Sequence, residues 1–167
     1  MSDNSEMIDL YSKRILEFAG NIPFTTPLEI YSGTASRRSP MCGSNLQVWI
    51  NVNEGKITDF SHDVKTCALG QASSSIIAEK IIGLDIDQVK LGRDQLYNML
   101  TKNGPIPQKP FENLEVLIPA ITYKNRHASI MLSFEAIIDA FSNINGTAGY
   151  SVDGYNFIDG SRVIFNA

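Results

Sequence analysis

Hydrophobic and polar positions alternate most regularly between Asn45 and Val64. Leu46, Val48, Ile50 and Val52 share one face, Asn53-Glu54-Gly55-Lys56 has the chemistry of a turn, and Ile57 to Val64 runs back. That pattern predicts an antiparallel hairpin. Upstream, Met7, Ile8, Tyr11, Ile15, Phe18 and Ala19 recur near helical spacing, which predicts an amphipathic helix over Ser5 to Ala19 stopped by Gly20-Asn21. A connector punctuated by Pro23 and Pro27 follows. Leu28 to Ser36 then alternates Leu28, Ile30 and Ser32 against Glu29 and Tyr31, and reads as the first strand, on a sheet edge.

Behind the hairpin, Ala68 to Ser75 is a run of small residues that leads into Ile76 to Ile82 and reads as a helix closed by Gly83. Asp85 to Lys102 predicts further helix, capped by Asp85, with Ile86, Val89, Leu91, Leu96, Met99 and Leu100 as core positions. Asn103 to Pro110 is a loop, and Leu114 to Ile118 packs around a turn or short helix. Arg126 to Phe141 carries Ile130, Leu132, Phe134, Ile137, Ile138 and Phe141 as a well-buried helix. Beyond Ser142 the composition shifts to Gly, Asn, Ser and Tyr. Residues 1–142 therefore read as one domain and 143–167 as a tail with little fixed order, Tyr155 to Ile158 and Val163 to Phe165 being its short-strand or partner-contact candidates.

A chain of 167 residues, 43% of them hydrophobic, is long enough for one real core. A net charge of −4 and scattered Lys and Arg argue against a nucleic-acid partner. No apolar run reaches the roughly 20 residues of a membrane span, and the start MSDNSEM is polar, so a cytoplasmic location is expected.

The chemistry concentrates on the two cysteines. Cys42 lies in a Met-Cys-Gly-Ser turn before the hairpin and Cys67 just after it, so the hairpin returns them to one region. Two cysteines in a reducing compartment are more often reactive or metal-binding than disulfide-bonded, although such a pair is also close enough to oxidise. Cys67 is the better thiolate candidate, because unpaired N–H groups and the dipole at a helix N-terminus favour an anion. The alternative reading is a small buried apolar residue. Glu112 with Glu115, and Asp59 with Asp63, read as solvated charge. No phosphate loop follows a strand, and two histidines give no Ser-His-Asp order.

Cys42-Gly43, the hairpin with Glu54-Gly55-Lys56-Ile57-Thr58-Asp59-Phe60, and Cys67-Ala68 before Gln71-Ala72-Ser73-Ser74-Ser75 together resemble the U-type iron-sulfur cluster scaffold family, the IscU, SufU and NifU N-terminal group. The resemblance spans about residues 6 to 141, and the segment from Gly83 to Pro119 is most like the SufU branch. It implies an α+β fold, a small antiparallel β-sheet with helices packed on one face, consistent with the order of elements above. It also implies a ligand set of three cysteines and one aspartate. Cys42 and Cys67 match two of those positions. Ser44 stands at the aspartate position, and Arg126-His127-Ala128-Ser129 places Ser129 where the third cysteine belongs.

A neutral serine hydroxyl is a poor substitute for a thiolate. The resemblance therefore implies a scaffold or carrier, not an enzyme, that holds iron or a transient iron-sulfur cluster through Cys42 and Cys67, with zinc as another ion for the same donors. A second chain, or His62, Asp63 and His127 as auxiliary ligands, would complete the set. The partners implied are a cysteine desulfurase, cluster-acceptor proteins and a second copy of the chain. Two alternatives stay open: a metal-free interaction module that regulates the assembly machinery, and a sulfur-transfer protein that carries persulfide on Cys67.

Overall fold

The structure is a computed structural model that describes residues 11–40, 43–144, 149–152, 155–158 and 161–163. Three antiparallel strands at its centre are β1 (Gly33–Arg38), β2 (Asn45–Asn53) and β3 (Lys56–Lys65). The hairpin forms where alternation predicts it. Glu54 (φ 52°) and Gly55 (φ 78°) both take left-handed backbone, the pair of conformations a two-residue turn needs to match the twist of its strands. Leu46, Val48 and Ile50 are buried on the same face as Ile57 and Phe60.

Helices cover that face. The α1 helix (Lys13–Gly20) starts at Ser12, whose hydroxyl accepts from the Ile15 N–H at 3.3 Å. Then come α2 (Ala68–Lys80), α3 (Ile86–Thr101), a 3-10 helix (Glu112–Thr122) and α4 (Lys124–Ser142). The α4 helix lies across β1 and β2, α2 packs beside it and touches β3, α1 packs on α2, and α3 packs on α4. Asp85 caps α3 as expected, accepting from the Gln88 N–H at 2.8 Å while Gln88 accepts from the Asp85 N–H at 3.0 Å. After α4 the backbone forms β4 (Gly149–Val152), β5 (Tyr155–Ile158) and β6 (Ser161–Val163), giving the strand order β3-β2-β1-β4-β5-β6 with β4 parallel to β1. A strand thus stands at Tyr155–Ile158, and the next lies two residues earlier than Val163 to Phe165.

Four local expectations are corrected. The first strand is Gly33–Arg38, not Leu28 to Ser36, and it lies inside the sheet between β2 and β4. Leu28 and Ile30 belong instead to a strap that starts at the outer edge of β3, where the His62 N–H reaches the Phe24 carbonyl at 3.0 Å, passes Ser61 Oγ, which accepts from the Leu28 N–H at 3.0 Å, and reaches β2, where Asn51 Nδ2 donates to the Ile30 carbonyl at 2.9 Å, leaving Ile30 84% exposed. A covered edge cannot template further pairing. The α2 helix ends at Lys80, and Gly83 (φ 88°) instead turns the chain so that the Ile57 N–H reaches the Leu84 carbonyl at 2.9 Å. Leu91 is exposed on α3, the core side of which carries Val89, Gly92, Leu96, Met99 and Leu100. The first helix is described only from Lys13, and Met7 and Ile8 lie outside the described residues. Among the described residues, no helix is long and apolar enough to cross a membrane.

Candidate metal and sulfur site

Three elements meet at one end of the sheet. The β1–β2 connection is narrow, with the Ser39 N–H on the Ser44 carbonyl at 2.7 Å and the Gly43 N–H on the Ser39 carbonyl at 3.1 Å. That connection delivers Ser44 to the start of β2. Cys67 is the N-cap of α2, in extended backbone (φ −66°, ψ 170°), and its side chain makes no capping hydrogen bond to the helix N–H groups. Ser129 comes from the N-terminal half of α4.

The side chains converge. Cys67 Sγ lies 3.5 Å from Ser129 Oγ, and the Ser129 hydroxyl donates to Ser44 Oγ at 3.1 Å. Ser44 and Ser129 are buried, while Cys67 is half-buried and free. Residues from positions 44, 67 and 129 therefore occupy one site, the three positions that the scaffold resemblance singles out besides Cys42. Cys42 itself lies outside the described residues.

Close packing makes the convergence feasible. A Cβ on Gly70 would stand 2.6 Å from both Ser129 Oγ and Thr66 Oγ1, so only glycine lets the first turn of α2 approach α4 here. One turn on, the Ser73 hydroxyl donates to the Ile130 carbonyl at 2.8 Å and ties the two helices beside the site. The small-residue run announces such an approach, but it does not single out Gly70.

The auxiliary ligand candidates are engaged elsewhere. His127 has Nε2 at 2.9 Å from the Ala120 carbonyl of the 3-10 helix. Asp63 is half exposed beside Lys65, with 3.7 Å between their charged atoms. Among the described residues, no three His, Cys, Asp or Glu side chains gather in a way that could hold a metal ion.

His62 is fully buried on β3. Its Nε2 donates to the Pro23 carbonyl at 2.8 Å, its ring meets Phe60 with centroids 4.9 Å apart, and its Nδ1 is buried without a hydrogen-bond partner among the described residues. Burial holds its pKa below the ordinary 6.5, opposed by the Pro23 carbonyl and the charge of Asp63. Above 6.5 neither folded nor unfolded chain carries the proton, and the buried ring contributes its full stability. As pH falls from 6.5 through the lower folded value, the unfolded chain takes up a proton that the folded one refuses. Below about pH 6.5, the unfolding free energy of the native protein, read from urea titrations, should fall relative to His62→Gln by up to about 1.4 kcal/mol per pH unit. Gln keeps an amide donor for the Pro23 carbonyl but does not titrate, so parallel profiles for the two proteins would contradict this assignment.

Comparison with known proteins gives a consistent answer. The NifU-like N-terminal domain model matches residues 10–128. The solved structure of a nitrogen-fixing NifU-like protein (N-terminal) from Brucella abortus superposes with a TM-score of 0.82 at 42% identity, covering 84% of this chain and 98% of that one. An iron-sulfur cluster assembly scaffold protein IscU of Thermotoga maritima is 21% identical over 81% of this chain and 95% of its own length. A similar scaffold protein of Archaeoglobus fulgidus, IscU 1, is 26% identical over 60% of this chain and 64% of its own.

Proposed function

Because this chain belongs to the NifU-like N-terminal domain family, we propose that it serves as a scaffold in iron-sulfur cluster assembly, taking iron and sulfur, or a formed cluster, as cargo at the Cys67 site. The observation that carries this reading is the meeting of Ser44, Cys67 and Ser129 from three separate elements, with the free sulfur half-open to solvent. Cys42 joins Cys67 as the second thiolate, two residues upstream of Ser44. The scaffold unit is residues 1–142, since α4 closes at Ser142.

Two cysteines satisfy half of the four thiolate positions a cluster uses. A second chain supplies the rest, so the cargo is shared across a dimer, and zinc competes for the same donors. A cysteine desulfurase delivers the sulfur, acceptor proteins remove the cluster, and the work is done in the reducing cytoplasm.

Cys67 being half-buried rather than sealed also favours a second reading, in which it carries sulfur. Its thiolate attacks the outer sulfur of a desulfurase persulfide, a new S–S bond forms on Cys67, and the desulfurase thiolate leaves. The experiment is anaerobic reconstitution with ferrous iron and sulfide, read by visible absorption, metal content and gel filtration. About one cluster per two chains, eluting as a dimer, is the expected result. Neither chromophore nor metal, with persulfide found on Cys67 by mass spectrometry after exposure to a desulfurase and cysteine, would replace the scaffold by the sulfur carrier. Neither of the two would leave an interaction module.

A further inference from the structure

The central three strands have two edges, closed by different parts of the chain. The strap from Phe24 covers β3, and β4 covers β1. The register of β1 with β2 fixes which of its backbone groups face that second edge. The Ser39 N–H on the Ser44 carbonyl continues the series that pairs Gly33 with Ile50 and Arg38 with Asn45, and it is a hydrogen-bonded pair. Bonded and non-bonded pairs alternate in an antiparallel ladder, so Gly33, Ala35 and Arg37 turn their N–H and C=O to β2 while Thr34, Ser36 and Arg38 turn theirs away. The Thr34 carbonyl accordingly accepts from Asn143 Nδ2, at 2.8 Å, just past the end of α4.

β4 uses only part of this edge. Its parallel ladder joins Thr34 to Tyr150 and Ala35 to Ser151, whereas β1 pairs all six of its residues with β2. Among the described residues, β1 is the main contact of the β4–β6 meander with the rest of the protein, and the core closes before the meander begins, with Ile144 packed where Gly33 meets α4. We propose that β1 is a pairing edge for a second copy of this chain and that the meander holds it shut. A two-fold axis through Ser36 sets two β1 strands antiparallel, Ser36 opposite Ser36 and Thr34 opposite Arg38, so that no like charges face each other. Arg37 is already neutralised by Asp139 and Glu135 on α4. Such a ladder engages β1 from Thr34 to Arg38, more of the strand than the two residues that β4 pairs. The meander nevertheless wins in the intact chain, because only residues 145–148 separate it from Ile144 and hold β4 at an effective concentration on the order of 1 mM.

The test is sedimentation equilibrium of the full chain at micromolar concentration, under reductant and with a metal chelator, beside hydrogen exchange of the Ser36 N–H in dilute samples. The native chain should be monomeric. Ser151, opposite Ala35, bonds to the outward groups of Thr34 and Ser36, so Ser151→Pro unseats β4 and leaves β1 and β2 as they are. It should speed exchange at Ser36 and strengthen self-association at least about tenfold. Adding Ser36→Pro, which removes an N–H that β2 does not use, should restore the monomer. Ser36→Asp in place of that proline puts like charges opposite each other on the axis and should do the same, and it decides if the double proline variant fails to fold by circular dichroism. A native chain already dimeric, a Ser151→Pro chain that stays monomeric or exchanges no faster at Ser36, or a dimer that survives the Ser36 variants would each overturn the proposal. Failure of the scaffold reading shows separately, because a dimer held by metal cargo is lost to the chelator and the β1 dimer is not.

Discussion

Cys67→Ala is expected to abolish the chromophore that iron and sulfide generate on the native protein while leaving the fold in place. The sulfur makes no capping bond, and its one polar side-chain contact among the described residues is the long one to Ser129, so stability should change by less than about 1 kcal/mol. Loading should nevertheless be lost entirely, because the other described groups at the site are hydroxyls and a cluster needs thiolates. Visible absorption and bound iron measured beside a circular dichroism spectrum separate the two effects. A folded Cys67→Ala protein that still turned brown would remove Cys67 from the site.

Phe134→Ala should have the largest effect on stability. Phe134 is fully buried in α4 and meets Phe111 edge to face, with ring centroids 5.0 Å apart and planes at 87°. The pair fills the place where α3 lacks a side chain: a Cβ on Gly92 would stand 2.7 Å from the Phe111 ring and 3.0 Å from Phe134 Cζ. Truncation removes the ring and its aromatic contact together and leaves a cavity between two helices, at a cost of about 3–5 kcal/mol. Thermal unfolding should move down by on the order of 10 °C. The same helix carries Ser129, so a loss below about 1 kcal/mol would mean that α4 relaxes into the gap and that the site is held less firmly than the packing implies.

Elements whose determinants are local could be read from the chain alone. The hairpin needed only alternation over Asn45 to Val64 and a Glu54-Gly55 turn, α3 needed Asp85 as its cap, and α4 needed the spacing of its apolar residues. Cys67 before a small-residue helix was visible in the same way. Ser44 and Ser129 were marked by family resemblance, since nothing in their own neighbourhoods distinguishes them from other serines.

What the tertiary structure decided depends on partners far away in sequence. The alternation at Leu28 to Ser32 is real, yet β1 forms five residues later, because Gly33, Thr34 and Ala35 are small enough to lie beneath α4 and pair with β2. Leu91 has the hydropathy of a core residue and faces solvent because α3 turns Gly92 and Leu96 toward α4. At the site, Cys67 and Ser129 are 62 residues apart and Ser44 and Ser129 are 85, brought together by strand pairing and by the helix approach that Gly70 permits. Periodicity specifies which face a residue takes within its own element. Which faces meet is set by the mutual burial of elements, and that is why the chain alone announced a thiol while only the fold placed two serine hydroxyls beside it.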